Sequence, residues 1–162
     1  MLELLQIRIS HLEAQSVSIG ALEEILGFKA APGGVLPSEF VLGFLEAARQ
    51  RPDWLGCWAI EDGLIVGSAG YKSIPLDGVV EIGYGVAPSY EGKGIGTAMC
   101  GWMKENAFRQ GAAIVRAHTL IEGFASQTIL KRNGFSLIGE VCEEEDGLVL
   151  RWEASSDLAC LD

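Results

Sequence analysis

"VAPSYEGKGIGTAM", residues 86–99, sets three alternating glycines, Gly92, Gly94 and Gly96, between an apolar stretch and a helical pattern. The first turn of a helix leaves its backbone N–H groups unpaired and carries partial positive charge. Glycines let that backbone approach an anion without Cβ atoms in the way. The stretch therefore predicts a strand, an anion-holding loop and a helix in succession. The peptide N–H groups of Gly92, Lys93, Gly94, Ile95, Gly96 and Thr97 are the candidate donors to a pyrophosphate. The Lys93 ammonium and the Thr97 hydroxyl add to them.

Two familiar phosphate motifs do not fit. No Gly-Lys-Ser/Thr follows a glycine at the spacing a Walker loop needs. Thr97 stands where the dinucleotide fingerprint requires a third glycine. About 20 residues further on, Arg116 and His118 occupy the place of its ribose-binding acid. ATP and NAD are poor readings of this loop.

Outward from the loop, the period of apolar residues assigns the elements. "LELLQIRI" at the start reads as a strand, and Ser18 to Gly27 as a helix with Ser18 as N-cap. "AAPGGVLP" is a loop, and Pro37-Ser38 opens a second helix that ends before Pro52. "CWAIEDGLIVGSAGY" reads as two strands joined by a turn at Asp62-Gly63, and "GVVEIGYGVAP" as a strand ended by Pro88. Helical spacing runs from Ile95 to Arg109, through Ala98, Met99, Trp102 and Met103. "AAIVRAHTL" is a strand, "FASQTILKRNGF" a short helix closed at Asn133-Gly134, and "FSLIGEVCE" with "LVLRWE" a hairpin. The order β-α-α-β-β-β-α-β-α-β-β predicts one α/β domain with a mixed sheet, helices on both faces and a central β-α-β unit. Its extent is 1–153, followed by a tail at 154–162.

A chain of 162 residues is long enough for one self-sufficient core. Its formal charge of −10, without a Lys/Arg cluster, disfavours nucleic acid and favours cationic partners such as amines. The four cysteines, Cys57, Cys100, Cys142 and Cys160, lack the spacing of a zinc site, and no metal is expected. The start carries no signal-peptide pattern and no apolar run approaches a membrane span, so a cytoplasmic protein with reduced cysteines is expected.

With these elements placed, "YEGKGIGTA" resembles the acyl-CoA loop of the GNAT superfamily of acetyl-CoA-dependent N-acetyltransferases, usually Gln/Arg-x-x-Gly-x-Gly/Ala. "SQTILKRNGF" is similar to that superfamily's second signature, Ser-x-x-x-Leu-x-x-x-Gly-Phe. "VEIGYGVAP" and "DGLVLRWE" resemble the branch that acetylates protein N-termini, including the ribosomal-protein alanine acetyltransferases. The resemblance spans roughly Trp54 to Trp152. Two residues depart from it. Glu91 stands where Gln or Arg is usual, and Gly123 where many members carry an Asn that contacts the pantetheine arm.

The resemblance implies acetyl-CoA as cosubstrate and a backbone N–H that polarises the acetyl carbonyl, here from Gly85 or Val86, with Val86 preferred. A fixed donor at a developing oxyanion is worth ~3 kcal/mol. Glu81 is the first candidate for the base, because strand alternation puts it on one face with Gly83 and Gly85, under open space. His118 is the alternative. Many relatives use a Tyr acid where this chain has Leu130, and Ser126, one turn earlier, is the replacement the N-terminal branch suggests. Arg132 and Lys131 are candidates for the CoA 3′-phosphate. Cys100 reads as a packed residue, and neither it nor Cys142 pairs with a His as an acyl carrier.

An α-amine of pKa ~7.8 is roughly one-seventh neutral at pH 7, against about 4 parts in 10,000 for a lysine. A weak base such as Glu81 therefore suits a peptide N-terminus or a low-pKa small amine. The expected function is acetyl transfer to a protein or peptide N-terminus in a ternary complex, by a monomer or homodimer. A small-molecule amine acceptor and a non-catalytic acyl-CoA-binding module are the alternatives. The region before Trp54 is expected to shape the acceptor pocket.

Overall fold

The structure, a computed structural model, describes residues 1–156, so Cys160 and residues 157–162 of the expected tail lie outside the described residues. Among the described residues the strands are β1 Glu3–Gln6, β2 Lys29–Ala30, β3 Gly56–Glu61, β4 Leu64–Tyr71, β5 Val79–Val86, β6 Ile114–Leu120, β7 Ser136–Glu143 and β8 Gly147–Ser155. The helices are α1 Ile9–Val17, α2 Ile19–Leu26, α3 Ser38–Arg49, α4 Ile95–Arg109 and α5 Phe124–Arg132, with a 3-10 turn at Pro88–Tyr90. The sheet order is β1-β3-β4-β5-β6-β8-β7, with β2 paired to β4. Along that path every pair is antiparallel except β5 with β6. This is the mixed α/β sheet the periodicity predicts.

The local signals act as their chemistry requires. The Ser18 Oγ accepts from the Ala21 N–H at 3.0 Å, and Gly27 closes α2 at φ 80°. Asp62 and Gly63 take φ 54° and 72°, the left-handed pair that a two-residue hairpin between β3 and β4 needs. Two apolar cores cover the two faces. Leu22, Val41, Trp58 and Ile65 fill the one under α1–α3. Met99, Met103, Leu130 and Trp152 fill the one under α4 and α5.

Two elements are additions to the expected order. The opening strand ends at Gln6, and Ile9–Val17 is helical instead of lying partly in the strand. No Ser, Thr, Asp or Asn caps α1; the Arg8 N–H donates to His11 Nδ1 at 3.1 Å, and the helix buries only Leu12 and Gln15. The second addition, β2, is two residues long and pairs with Leu64 and Ile65. Tertiary contact, not local pattern, makes both.

Candidate active site

β5 changes partners halfway along. Its first part pairs with β6, from Val79 opposite Ile114 to Glu81 opposite Arg116. From Ile82 to Val86 it pairs with β4 alone. Beyond Glu81, β5 and β6 therefore part, and a wedge opens between them. The bonds from Lys72 N–H to the Glu81 carbonyl and from Ala87 N–H to the Val66 carbonyl set the phase of the β4–β5 ladder. In an antiparallel ladder that phase alternates. Gly83 and Gly85 thus face their bonds to β4, and the N–H groups of Tyr84 and Val86 point toward the wedge.

A cavity of about 590 Å³ occupies this side, bounded by the end of β5, the glycine loop and α5. Gly85, Val86, Glu91, Gly92, Gly94, Ile95, Gly96 and Thr97 all line it, as do Ser126 and Arg132 from α5. Lys93 does not; its Nζ lies 4.9 Å from the centre of the Tyr90 ring. Lys131 sits over Trp152, at 5.8 Å from the ring centre. Among the described residues no group accepts from the peptide N–H groups of residues 92–97, since the first bond of the turn runs from Ala98 to the Gly94 carbonyl. Six peptide N–H groups are thus left without a protein acceptor at a helix start, five of them on residues that line the cavity, which fits a pyrophosphate.

The three glycines have different tasks. Gly92 and Gly94 hold φ 76° and 82°, and a Cβ on either would point into open space, so what they supply is backbone conformation. A Cβ on Gly96 would lie 2.7 Å from Ile129 Cδ1, so this glycine lets α4 approach α5. Asn133 fixes the same junction, its Nδ2 donating to the Thr97 carbonyl at 3.1 Å.

Glu81 lines neither this cavity nor the one across β5. Its Oε2 is 2.9 Å from Lys72 Nζ and 3.1 Å from His118 Nδ1, the latter too far off line for a hydrogen bond. Burial pushes the Glu81 carboxyl up, but its contacts with Lys72 and His118 outweigh that and hold it below its ordinary value. His118 Nε2 accepts from Arg151 Nε at 3.1 Å and lies 3.4 Å from Glu143. Glu81, His118 and Glu143 bring three ligand-type atoms within 4.8 Å of one another; Lys72 pairs with Glu81, and Arg151 donates to His118.

Leu130 is fully buried, far from presenting a polar group to the cavity. Tyr84, not among the candidates read from the sequence, lines the cavity and reaches the Ser126 carbonyl with its hydroxyl at 3.5 Å. Burial first, then the neighbouring Cys100, pushes its phenol up, partly offset by the bond to Ser126. Its signal was its place on β5, between two glycines and on the α4 face. Burial also pushes the Cys57 and Cys100 thiols up to about 12, so neither is a ready nucleophile. Among the described residues, no helix is long and apolar enough to cross a membrane.

The sequence profile of the acetyltransferase (GNAT) domain matches residues 2–136. The chain belongs to the GNAT family. As a member it is an acetyl-CoA-dependent acetyltransferase. No curated protein matches it. Solved structures of other GNAT-like chains share the fold at low identity. The ribosomal-protein-S5-alanine acetyltransferase of Vibrio fischeri is 15% identical over 96% of this chain and 93% of its own, with a TM-score of 0.70. RimJ of Mycobacterium smegmatis, in complex with CoA-disulfide, is 19% identical over 97% and 83%, with a TM-score of 0.68. The microcin C7 self-immunity acetyltransferase MccE, in complex with acetyl-CoA and AMP, is 18% identical over 96% and 92%, with a TM-score of 0.67.

Proposed function

We propose that this GNAT enzyme acetylates a primary amine at a protein or peptide N-terminus, by direct attack in a ternary complex. The observation that carries this is the meeting of two cavities at Tyr84 and Gly85, on the half of β5 that has left β6. Acetyl-CoA, when bound, supplies the acetyl group as a thioester. The peptide N–H groups of residues 92–97 hold the pyrophosphate, and Arg132 adds its charge at the rim. The Val86 N–H, turned toward the wedge, donates to the carbonyl oxygen as negative charge gathers on it.

From across β5 the neutral amine adds to the carbonyl carbon. A C–N bond forms, the C–S bond breaks, and the electron pair leaves with sulfur as a thiolate. The nitrogen gives up one proton and the thiolate takes one. Glu81, ionised and held by Lys72 and His118, receives the amine's proton through water. Tyr84, whose phenol stays protonated at neutral pH, supplies the proton to sulfur, a role that puts it ahead of Ser126. The likeness to the Vibrio fischeri ribosomal-protein-S5-alanine acetyltransferase supports a protein N-terminus as acceptor.

Acetyl transfer to synthetic peptides, read by mass spectrometry, tests this. Acetyl on the α-amine with lysine side chains untouched is the expected result. Acetylation of lysine side chains alone, or of no peptide at all, would overturn the N-terminal reading.

A further inference from the structure

The cavity across β5 measures about 510 Å³, within the range of small-molecule sites. Its walls come from the chain before Trp54, with Leu12 on α1, Leu36 on the loop between β2 and α3, and Val41 and Phe44 on α3, together with Leu55 and Trp58. Gln15 ties α1 to that loop, donating Nε2 to the Leu36 carbonyl at 3.0 Å. Ser68 and Gly85, paired across β4 and β5, lie where it meets the cofactor cavity.

Among the described residues, no carboxylate lines this cavity. The charged residues that do are Arg51 and Lys72, and both are engaged. Arg51 donates to the Trp54 and Tyr71 carbonyls, and Lys72 holds Glu81. An acceptor carrying additional positive charges would find two cations and no anion beside an apolar wall. Desolvation there also favours the neutral, nucleophilic form of an amine over its ammonium. The acidic exterior, at a formal −10, draws amines toward the protein, but the cavity itself has no means to hold a polycation.

We infer that the acceptor is an amine borne on an uncharged apolar group, and that this cavity seats that group. The inference rests on the reading of the enzyme as an amine acetyltransferase. Two sources share the chemistry: a peptide whose first side chain is apolar, and a free apolar amine.

Binding, measured by calorimetry on the full chain saturated with coenzyme A so that no turnover occurs, tests it independently of activity. The probes are phenethylamine, spermidine, and two tetrapeptides that begin with phenylalanine or with aspartate. Phenethylamine is expected to bind at least ~10-fold more tightly than spermidine. Leu36 is half exposed, so Leu36→Asp spares the core; it should weaken phenethylamine by a similar factor and strengthen spermidine. Spermidine binding as tightly as phenethylamine, or a Leu36→Asp variant with unaltered preference, would overturn the inference. Tight binding of the phenylalanine peptide, with the aspartate peptide weak, supports it with a peptide as the source. Phenethylamine bound while neither peptide binds also supports it, and fells the N-terminal reading instead.

Discussion

Glu81 and Arg116 are the last facing residues of β5 and β6, and at Glu81 the hydrogen bonds of β5 pass over to β4. One position thus marks the root of the wedge and the meeting point of Lys72 and His118. Every β5 residue that lines the cavity beside the glycine loop, Tyr84, Gly85 and Val86, lies beyond it.

Because its contacts hold the Glu81 carboxyl below its ordinary value, it is ionised throughout the neutral range. The rising limb of activity with pH should then follow the acceptor amine, near ~7.8 for a peptide N-terminus. Glu81→Gln should lower kcat/KM ~100-fold and leave that inflection in place. Initial rates against pH check this, and an inflection that moves with the substitution would contradict it. A depressed folded-state pKa stabilises the fold above the ordinary 4.5 and loses that contribution as pH falls through the lower folded value. Tm against pH should therefore drop less steeply below pH 4.5 in Glu81→Gln.

Tyr84→Phe removes one hydroxyl and keeps the ring that lines both cavities. Steady-state kinetics should show kcat lowered ~10- to 100-fold, with the KM for acetyl-CoA within about twofold. An unchanged kcat would remove Tyr84 from the proton path.

His11 Nδ1 accepts from both the Arg8 N–H and Trp58 Nε1, each at 3.1 Å. Burial, then the charge of Arg8, lowers its pKa from 6.5. The folded state therefore binds this proton less readily than the unfolded chain, so stability is full above pH 6.5 and falls as pH drops through the folded value. Tm should decline on acidification below pH 6.5, and His11→Asn, which keeps an acceptor but does not titrate, should flatten that decline. Equal slopes for both proteins would refute the assignment.

Leu130, fully buried beneath α4 and β8, occupies the place where a polar acid was missing from the sequence. Leu130→Ala should cost ~2–5 kcal/mol in denaturant unfolding. A loss well under ~1 kcal/mol would mean the site collapses or is more open than the packing indicates.

The fold was legible where local chemistry and tertiary packing agree. Ser18 and Gly27 delimit α2, Asp62-Gly63 turns a hairpin, and the glycine loop opens α4. The helix α1 was not legible, because a histidine caps it and its apolar face is narrow. The glycine loop was visible because residues adjacent in sequence act together. The region before Trp54 was expected to shape an acceptor pocket, but the residues that wall the cavity across β5 were not visible, since Leu12, Leu36, Val41 and Trp58 converge only through the sheet. Tyr84 escaped for the same reason: its partner, the Ser126 carbonyl, is 42 positions away. Glu81 stood out by strand alternation, but its ties to Lys72 and His118, and its place outside both cavities, depend on register.

Titration of coenzyme A by calorimetry into the unaltered chain and into Thr97→Glu tests the central claim most directly. Gly94 is the N-cap of α4, so position 97 lies in its first turn, where a glutamate suits the helix and sets a carboxylate at the anion site. The account predicts one binding site in the unaltered chain and at least ~10-fold weaker binding in the variant, with Tm equal or higher. No binding to the unaltered chain, or equal affinity in Thr97→Glu, would contradict it.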